Sequence, residues 1–198
     1  MTEKELIEGL IRKDDHCFRE LVDKYQSLVL NTCFGFLHER SDAEDITQEV
    51  FIEVYFSIHK FKQTAKLSTW LYRIAVNKSL NYLRRNKRRQ IFVTIESFLT
   101  NQWSSKMNDS GEVDDIQQKK EYLLHKTIDS LPKNQKTAFI LHKFEKVSYK
   151  EIAEIMDLSL SSIEGLVHRA NRNIRKTLLN HYKKKITQKF LVNEVSNK

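Results

Sequence analysis

The chain has 198 residues but only four glycines and one proline, where average usage would supply roughly two dozen of these together. A turn-rich all-β chain is therefore excluded. The glycines stand far apart at Gly9, Gly35, Gly111 and Gly165, which also excludes the glycine-rich phosphate loops of dinucleotide-binding and P-loop enzymes. The net charge is +8, and it is unevenly spread. Residues 1–60 carry net −6, residues 61–90 carry nine basic groups and no acidic one, residues 91–130 carry net −3 and residues 131–198 net +8. Separate basic blocks point to two places where a polyanion such as nucleic acid can sit, whereas the acidic blocks call for a different partner. Thirty residues without one carboxylate is hard to reconcile with an ordinary solvated surface of mixed sign.

Apolar residues recur at three- and four-residue steps in six segments, roughly 3–12, 15–37, 42–60, 68–88, 116–130 and 133–182, the last broken by turns near 146 and 158. This period predicts an all-α protein of two small helical domains joined by a flexible linker. The first domain spans 1–90, a linker spans 91–119, a second domain spans 120–180 and a basic tail spans 181–198. Cys17 and Cys33 fall among apolar neighbours without close partners, so buried reduced thiols are expected. The longest stretch free of Lys, Arg, Asp and Glu in the first half, Tyr25 to His38, is shorter than the ~18 residues of a membrane span. Neither a signal-peptide core nor stable membrane insertion is expected, and a cytoplasmic location follows.

Capping boxes, in which a Ser and a Glu three residues on satisfy each other's backbone amides, place helix starts at Ser41 with Glu44, Ser148 with Glu151 and Ser161 with Glu164. Pro132 suits the first turn of a helix beginning near Lys133.

Advancing 100° per residue through the helix opened at Ser41 puts Ile46, Val50, Phe51, Val54 and Ile58 on one stripe, which reads as core. The opposite face gathers Asp42, Asp45, Glu49 and Glu53 with Ile52 and Phe56. A solvated face has little use for two large apolar side chains. A metal or acid/base site needs histidines or a dry pocket, and none of the seven histidines follows a Glu by three residues, the spacing of helical di-iron sites. A protein-docking face is the preferred reading.

In the next helix Leu71, Tyr72, Ile74, Ala75, Val76, Lys78, Ser79, Tyr82 and Leu83 share a packing side. Trp70, Arg73, Asn77, Asn81, Arg84 and Arg88 share another, where cations suit phosphates, amides suit base edges and an aromatic ring can hold an unstacked base. Trp70 alone is ambiguous, because a tryptophan at a helix start is often core.

The segment from Val147 to Lys176 has the length and punctuation of a helix-turn-helix, with an ordinary helical hairpin as the alternative. Its second helix presents Ser161, Ser162, Glu164, Gly165 and His168 toward a groove. Arg169, Arg172, Arg175 and Lys176 are placed for phosphates.

The order DAEDITQEVFIEVY, STWLYRIAVNKSLNYLRR, the LPxxxxxAF of Leu131 to Phe139, and SYKEIAEIMDLSLSSIEGLVHRANRNIRK resembles successive regions of the extracytoplasmic-function (ECF) sigma factors of the sigma-70 family. The resemblance implies an initiation factor that binds bacterial core RNA polymerase, recognises the minus-35 and minus-10 elements of promoter DNA and helps melt it, with no cofactor and no catalytic residue of its own. It implies that Asp42, Asp45, Gln48, Glu49, Ile52 and Phe56 dock the polymerase. The minus-10 element would be read by Lys60, Lys62, Lys66, Trp70, Arg73, Asn77, Asn81, Arg84, Arg85 and Arg88. The minus-35 element would be read by Ser161, Ser162, Glu164, Gly165, His168, Arg169, Arg172 and Lys176. An anti-sigma factor is a further implied partner. Many relatives carry Asp where Asn81 stands and a basic residue near Glu164 and Gly165, so promoter sequence does not transfer. The competing readings are a helix-turn-helix regulator that never joins polymerase, which would bind promoters alone, and a helical metalloenzyme, which would purify with bound metal.

Overall fold

The structure is a computed structural model that describes the backbone of residues 1–100 and 112–195, with side chains for residues 1–87 and 120–183. Its helices are α1 (Glu3–Ile11), α2 (Asp15–Leu37), α3 (Arg40–Ser57), α4 (Leu67–Thr100), α5 (Glu112–Asp129), α6 (Lys133–Lys143), α7 (Tyr149–Met156) and α8 (Leu160–Val195), with a 3-10 turn at Ile58–Lys60 after α3. Among the described residues there is no strand, and no helix is long and apolar enough to cross a membrane.

The chain separates into two compact units, Met1–Lys106 with Ile140–Leu160, and Met107–Phe139 with Ser161–Lys198. In the first, α2 lies against α1, α3 and α4, and α3 lies against α4. Leu6, Leu21, Val29, Val50, Leu67 and Leu71 are almost wholly buried there, each worth roughly 1.5–3 kcal/mol relative to exposure. Every residue of the predicted α3 stripe, Ile46, Val50, Phe51, Val54 and Ile58, belongs to this core. Cys17 and Cys33 are buried free thiols, and burial pushes the Cys33 thiol's pKa up. In the second unit Ile128, Ala138, Ile163, Val167 and Ala170 are buried. Lys136 is almost wholly buried and pairs with Asp129 at 2.6 Å, and Asn173 donates to Gln135 at 2.8 Å.

Helix ends follow local chemistry, not always as expected. Ser148 and Glu151 form the predicted box at the start of α7. Thr2 and Glu5 form another at α1 that the sequence reading did not identify. The box at Ser41 is not made. Arg40 takes Glu44 as an i,i+4 partner at 2.8 Å, α3 begins at Arg40 after Glu39, and Ser41 donates to Glu39 at 3.4 Å. Likewise α8 begins at Leu160, so Ser161 lies inside its first turn. The region taken as a linker, 91–119, overlaps the ends of α4 and α5, and its middle, residues 101–111, lies outside the described residues. The segment taken as a basic tail continues α8 to Val195; residues 196–198 lie outside the described residues.

Candidate nucleic-acid interface and docking face

Both predicted faces of α3 exist. Opposite its buried stripe, Ile52 is 56% and Phe56 66% exposed, an unusual position for two large apolar side chains on one helix face. The Phe56 ring is backed edge-on by Tyr55 at 5.4 Å, and Tyr55 meets Phe18 in the same geometry. Phe56 is thus supported from behind and open in front. Asp45 and Gln48 are exposed, while Asp42 and Glu49 are half-buried. These half-buried groups face α4. Asp42 raises the pKa of the Tyr82 phenol. Lys78 Nζ lies 3.4 Å from Glu49 Oε2 and 3.8 Å from Glu53 Oε2.

The loop from Ile58 to Lys66 presents Lys60, Lys62 and Lys66 as exposed side chains. Gln63 takes a left-handed backbone there (φ 54°), a conformation costly for side chains other than Gly, Asn or Asp. The loop is anchored by Phe61, whose ring sits 5.3 Å from that of Trp70. Trp70 itself is half-buried against the core, so its ring is shared between packing and surface. The start of α4 is fixed by a residue that no local pattern revealed. Glu3 accepts from the Leu67 amide at 3.2 Å and from the Tyr25 hydroxyl at 3.5 Å. A carboxylate at a helix N-terminus satisfies an orphan donor and the helix dipole together.

Along α4, Arg73, Asn77, Asn81 and Arg84 are exposed on the predicted side, and Arg85 is exposed outside that stripe; the Arg88 side chain lies outside the described residues. Several of these cationic and amide groups already have protein partners. Lys66 pairs with Glu151 of α7 at 3.0 Å, which raises the lysine's pKa and lowers that of the carboxyl. The Arg73 guanidinium donates to the Glu154 carbonyl oxygen. Arg84 donates to Asn81 at 3.3 Å.

The second basic surface stands on α8. Asp157 closes α7 in the left-handed conformation (φ 54°, ψ 50°), which Asp tolerates better than most residues, and α8 follows at Leu160. Leu166 is half-buried, and Ile163, Val167, Ala170 and Ile174 are buried. Ser161, Glu164, His168, Arg169, Arg172, Arg175 and Lys176 are exposed, and Ser162 and Gly165 are partly covered. A Cβ at Gly165 would come within 3.0 Å of the Arg169 guanidinium. The missing side chain leaves room for Arg169 to fold back along its own helix.

The comparisons agree with this arrangement. The sigma-70 region 2 family model matches residues 21–89, and the sigma-70 region 4 model matches residues 122–174. These two regions define a class of transcription initiation factors. The RNA polymerase sigma-H factor of Pseudomonas aeruginosa is 34% identical over 89% of this chain and 93% of its own length. The ECF RNA polymerase sigma-E factor of Haemophilus influenzae is 33% identical over 88% and 94%. Among solved structures, CnrH in complex with the cytosolic domain of CnrY shares the fold with a TM-score of 0.64 at 17% identity, covering 89% of this chain and 96% of that one. With two-thirds of the chain or more aligned to relatives above 30% identity, the chain belongs to the ECF group of the sigma-70 family and is an RNA polymerase sigma factor.

Proposed function

We propose that the surfaces divide this work as their chemistry suggests. The face of α3 carrying Asp42, Asp45, Gln48, Glu49, Ile52 and Phe56 docks core polymerase. The Ile58–Lys66 loop and α4, through Lys60, Lys62, Lys66, Trp70, Arg73, Asn77, Asn81, Arg84, Arg85 and Arg88, read and open the minus-10 element. Helix α8, through Ser161, Ser162, Glu164, Gly165, His168, Arg169, Arg172 and Lys176, reads the minus-35 element. Residues 1–90 and 120–180 then act as the two functional domains, with 91–119 between them.

The observation that carries this reading is the exposure of Ile52 and Phe56 among carboxylates on α3, beside a basic stretch of α4, residues 67–90, that holds no acidic group. Acidic and apolar groups together suit a protein partner with basic rims, whereas α4 suits a polyanion. Extruding a base costs a few kcal/mol, and each stacked or bidentate base contact returns roughly 1–3 kcal/mol. Several contacts made at once therefore open the duplex with binding energy alone. The chain needs no catalytic group, and bond formation belongs to polymerase. It works in the cytoplasm, where polymerase and promoter are. An anti-sigma factor is a further proposed partner, in keeping with a fold neighbour, Bartonella quintana RpoE, solved in complex with the anti-sigma factor NepR (TM-score 0.57, 20% identity, 81% of this chain and 96% of that one).

The test is reconstitution with bacterial core polymerase on a randomised promoter library. Phe56→Asp lowers core affinity by about tenfold or more, the scale of losing a central aromatic anchor. Arg84→Ala keeps core affinity and weakens opening. Normal initiation by both variants would overturn the assignment.

A further inference from the structure

Lys78 is the one cationic residue that α4 places on its packing side between Leu67 and Tyr82, flanked there by Ile74, Ala75 and Tyr82. A lysine in that position gives up hydration and side-chain freedom, so its location calls for a compensating role. Its ammonium group reaches Glu49 and Glu53, which stand one turn apart on α3, and its side chain is only 30% exposed. One turn further along α4 stands Tyr82, whose phenol's pKa is raised by Asp42. Two carboxylates of α3, Glu49 and Glu53, are therefore held by one lysine of α4. They border a groove of about 350 Å³ whose opposite wall includes Asn77, Asn81 and Arg85.

This divides the acidic face into two strips. The inner strip, Glu49 and Glu53, meets Lys78 of α4 at 3.4 and 3.8 Å. The outer strip, Asp45, Gln48, Ile52 and Phe56, is exposed.

We infer that Lys78 is a positioning residue that joins the polymerase-docking helix to the promoter-reading helix, binding the inner carboxylates so that docking on α3 sets the register and rotation of α4. The inference rests on the proposed roles of those two helices. The mechanism is geometric. One cation bridging two carboxylates on a neighbouring helix resists both sliding and rolling, whereas a single contact resists neither. It is also electrostatic, because the same ammonium offsets two negative charges that would otherwise face DNA phosphates beside Asn77 and Asn81. The groups are partly exposed, so their worth lies in orientation more than in fold stability.

The experiment uses the full chain, bacterial core polymerase and a promoter selected by the wild-type holoenzyme from a randomised library. Core affinity and open-complex formation at saturating core are measured separately, and thermal unfolding establishes that each variant is folded. Lys78→Met is expected to lower opening by about tenfold, the scale of coupling between contacting groups, while core affinity changes less than about twofold. Lys78→Arg, which keeps the bridging charge, restores opening to within about twofold of wild type. Glu49→Gln with Glu53→Gln lowers opening comparably, and adding Lys78→Met to that pair produces little further loss, because all three changes remove one linkage. Wild-type opening in Lys78→Met, full additivity of the triple variant in opening at saturating core, or equal loss of opening and core affinity in Lys78→Met would overturn the inference. Wild-type core affinity in Phe56→Asp would instead overturn the docking assignment beneath it, so the two failures are distinguishable.

Discussion

Helices α4 and α8 carry the two basic stripes of the molecule, and their cations stand in different conditions. On α4 and the loop before it, Lys66 is paired with Glu151, Arg73 donates to the Glu154 carbonyl, and Arg84 is tied to Asn81. On α8, Arg172, Arg175 and Lys176 are exposed, and Arg169 rests over Gly165. Equal charge in sequence is thus not equal readiness. A solvated arginine exchanges water and counterions for phosphate, whereas a bonded one must first give up a protein partner. On the proposed roles, the free-energy gain from a phosphate contact is correspondingly smaller at Lys66, Arg73 or Arg84 than at Arg172 or Lys176.

The largest effect that would break this contrast is on α8. Arg172→Ala with Lys176→Ala should cut affinity for a double-stranded minus-35 element by about tenfold or more, and lower the slope of log affinity against log salt by roughly two. Titration of promoter fragments by holoenzyme at several salt concentrations measures both. An unchanged slope means these side chains do not meet phosphates.

The next effect concerns the segment whose residues hold the α4 cations. Glu145, at the turn between α6 and α7, is half-buried, and burial lifts its carboxyl to about 7. Its charge acts on Tyr72 of α4, whose phenol is pushed up to about 12 chiefly by burial, and on Cys33 of α2. Between the ordinary carboxylate range and pH 7 the folded chain keeps a proton that the unfolded chain has lost. Stability from this group is therefore fully present at low pH and disappears as the pH rises through about 7. Melting should occur about 3 °C higher at pH 5.5 than at pH 8 through this group, and Glu145→Gln should remove that difference by raising the pH 8 value. Scanning calorimetry of both proteins across pH decides it, and an identical pH dependence sinks the assignment.

The smallest effect sharpens the contrast directly. Glu151→Gln removes the charge facing Lys66 while keeping a side chain able to complete the capping box with Ser148. It should raise the full chain's affinity for a single-stranded minus-10 oligonucleotide about twofold to threefold, the worth of one exposed ion pair. Fluorescence anisotropy measures the change. Wild-type affinity would mean that Glu151 does not compete with DNA.

Much of the molecule was legible from local pattern because helices repeat their environment every few residues. The α3 stripe, the packing side of α4, the buried Val167 and Ile174 of α8, and the exposed Ile52 and Phe56 all follow from periodicity. Helix ends were less legible, because neighbouring groups compete for the same partner. Arg40 takes Glu44 before Ser41 can, and polar composition after Asn180 does not stop α8 from continuing. Local pattern placed Lys78 on a packing side without a reason for its charge, and it offered no hint that Glu3 would hold the start of α4.

By itself the sequence determined the helical class, the two basic surfaces, the helix face that mixes carboxylates with exposed apolar side chains, and the family. Those properties are sums over single residues and their near neighbours along the chain. Only the tertiary structure decided which carboxylates are bound by Lys78, that Glu3 caps α4 from 64 positions away, and that Lys66 and Arg73 are engaged by α7. A charge is fixed by residue type, but its partner is fixed by which helices the buried core brings side by side.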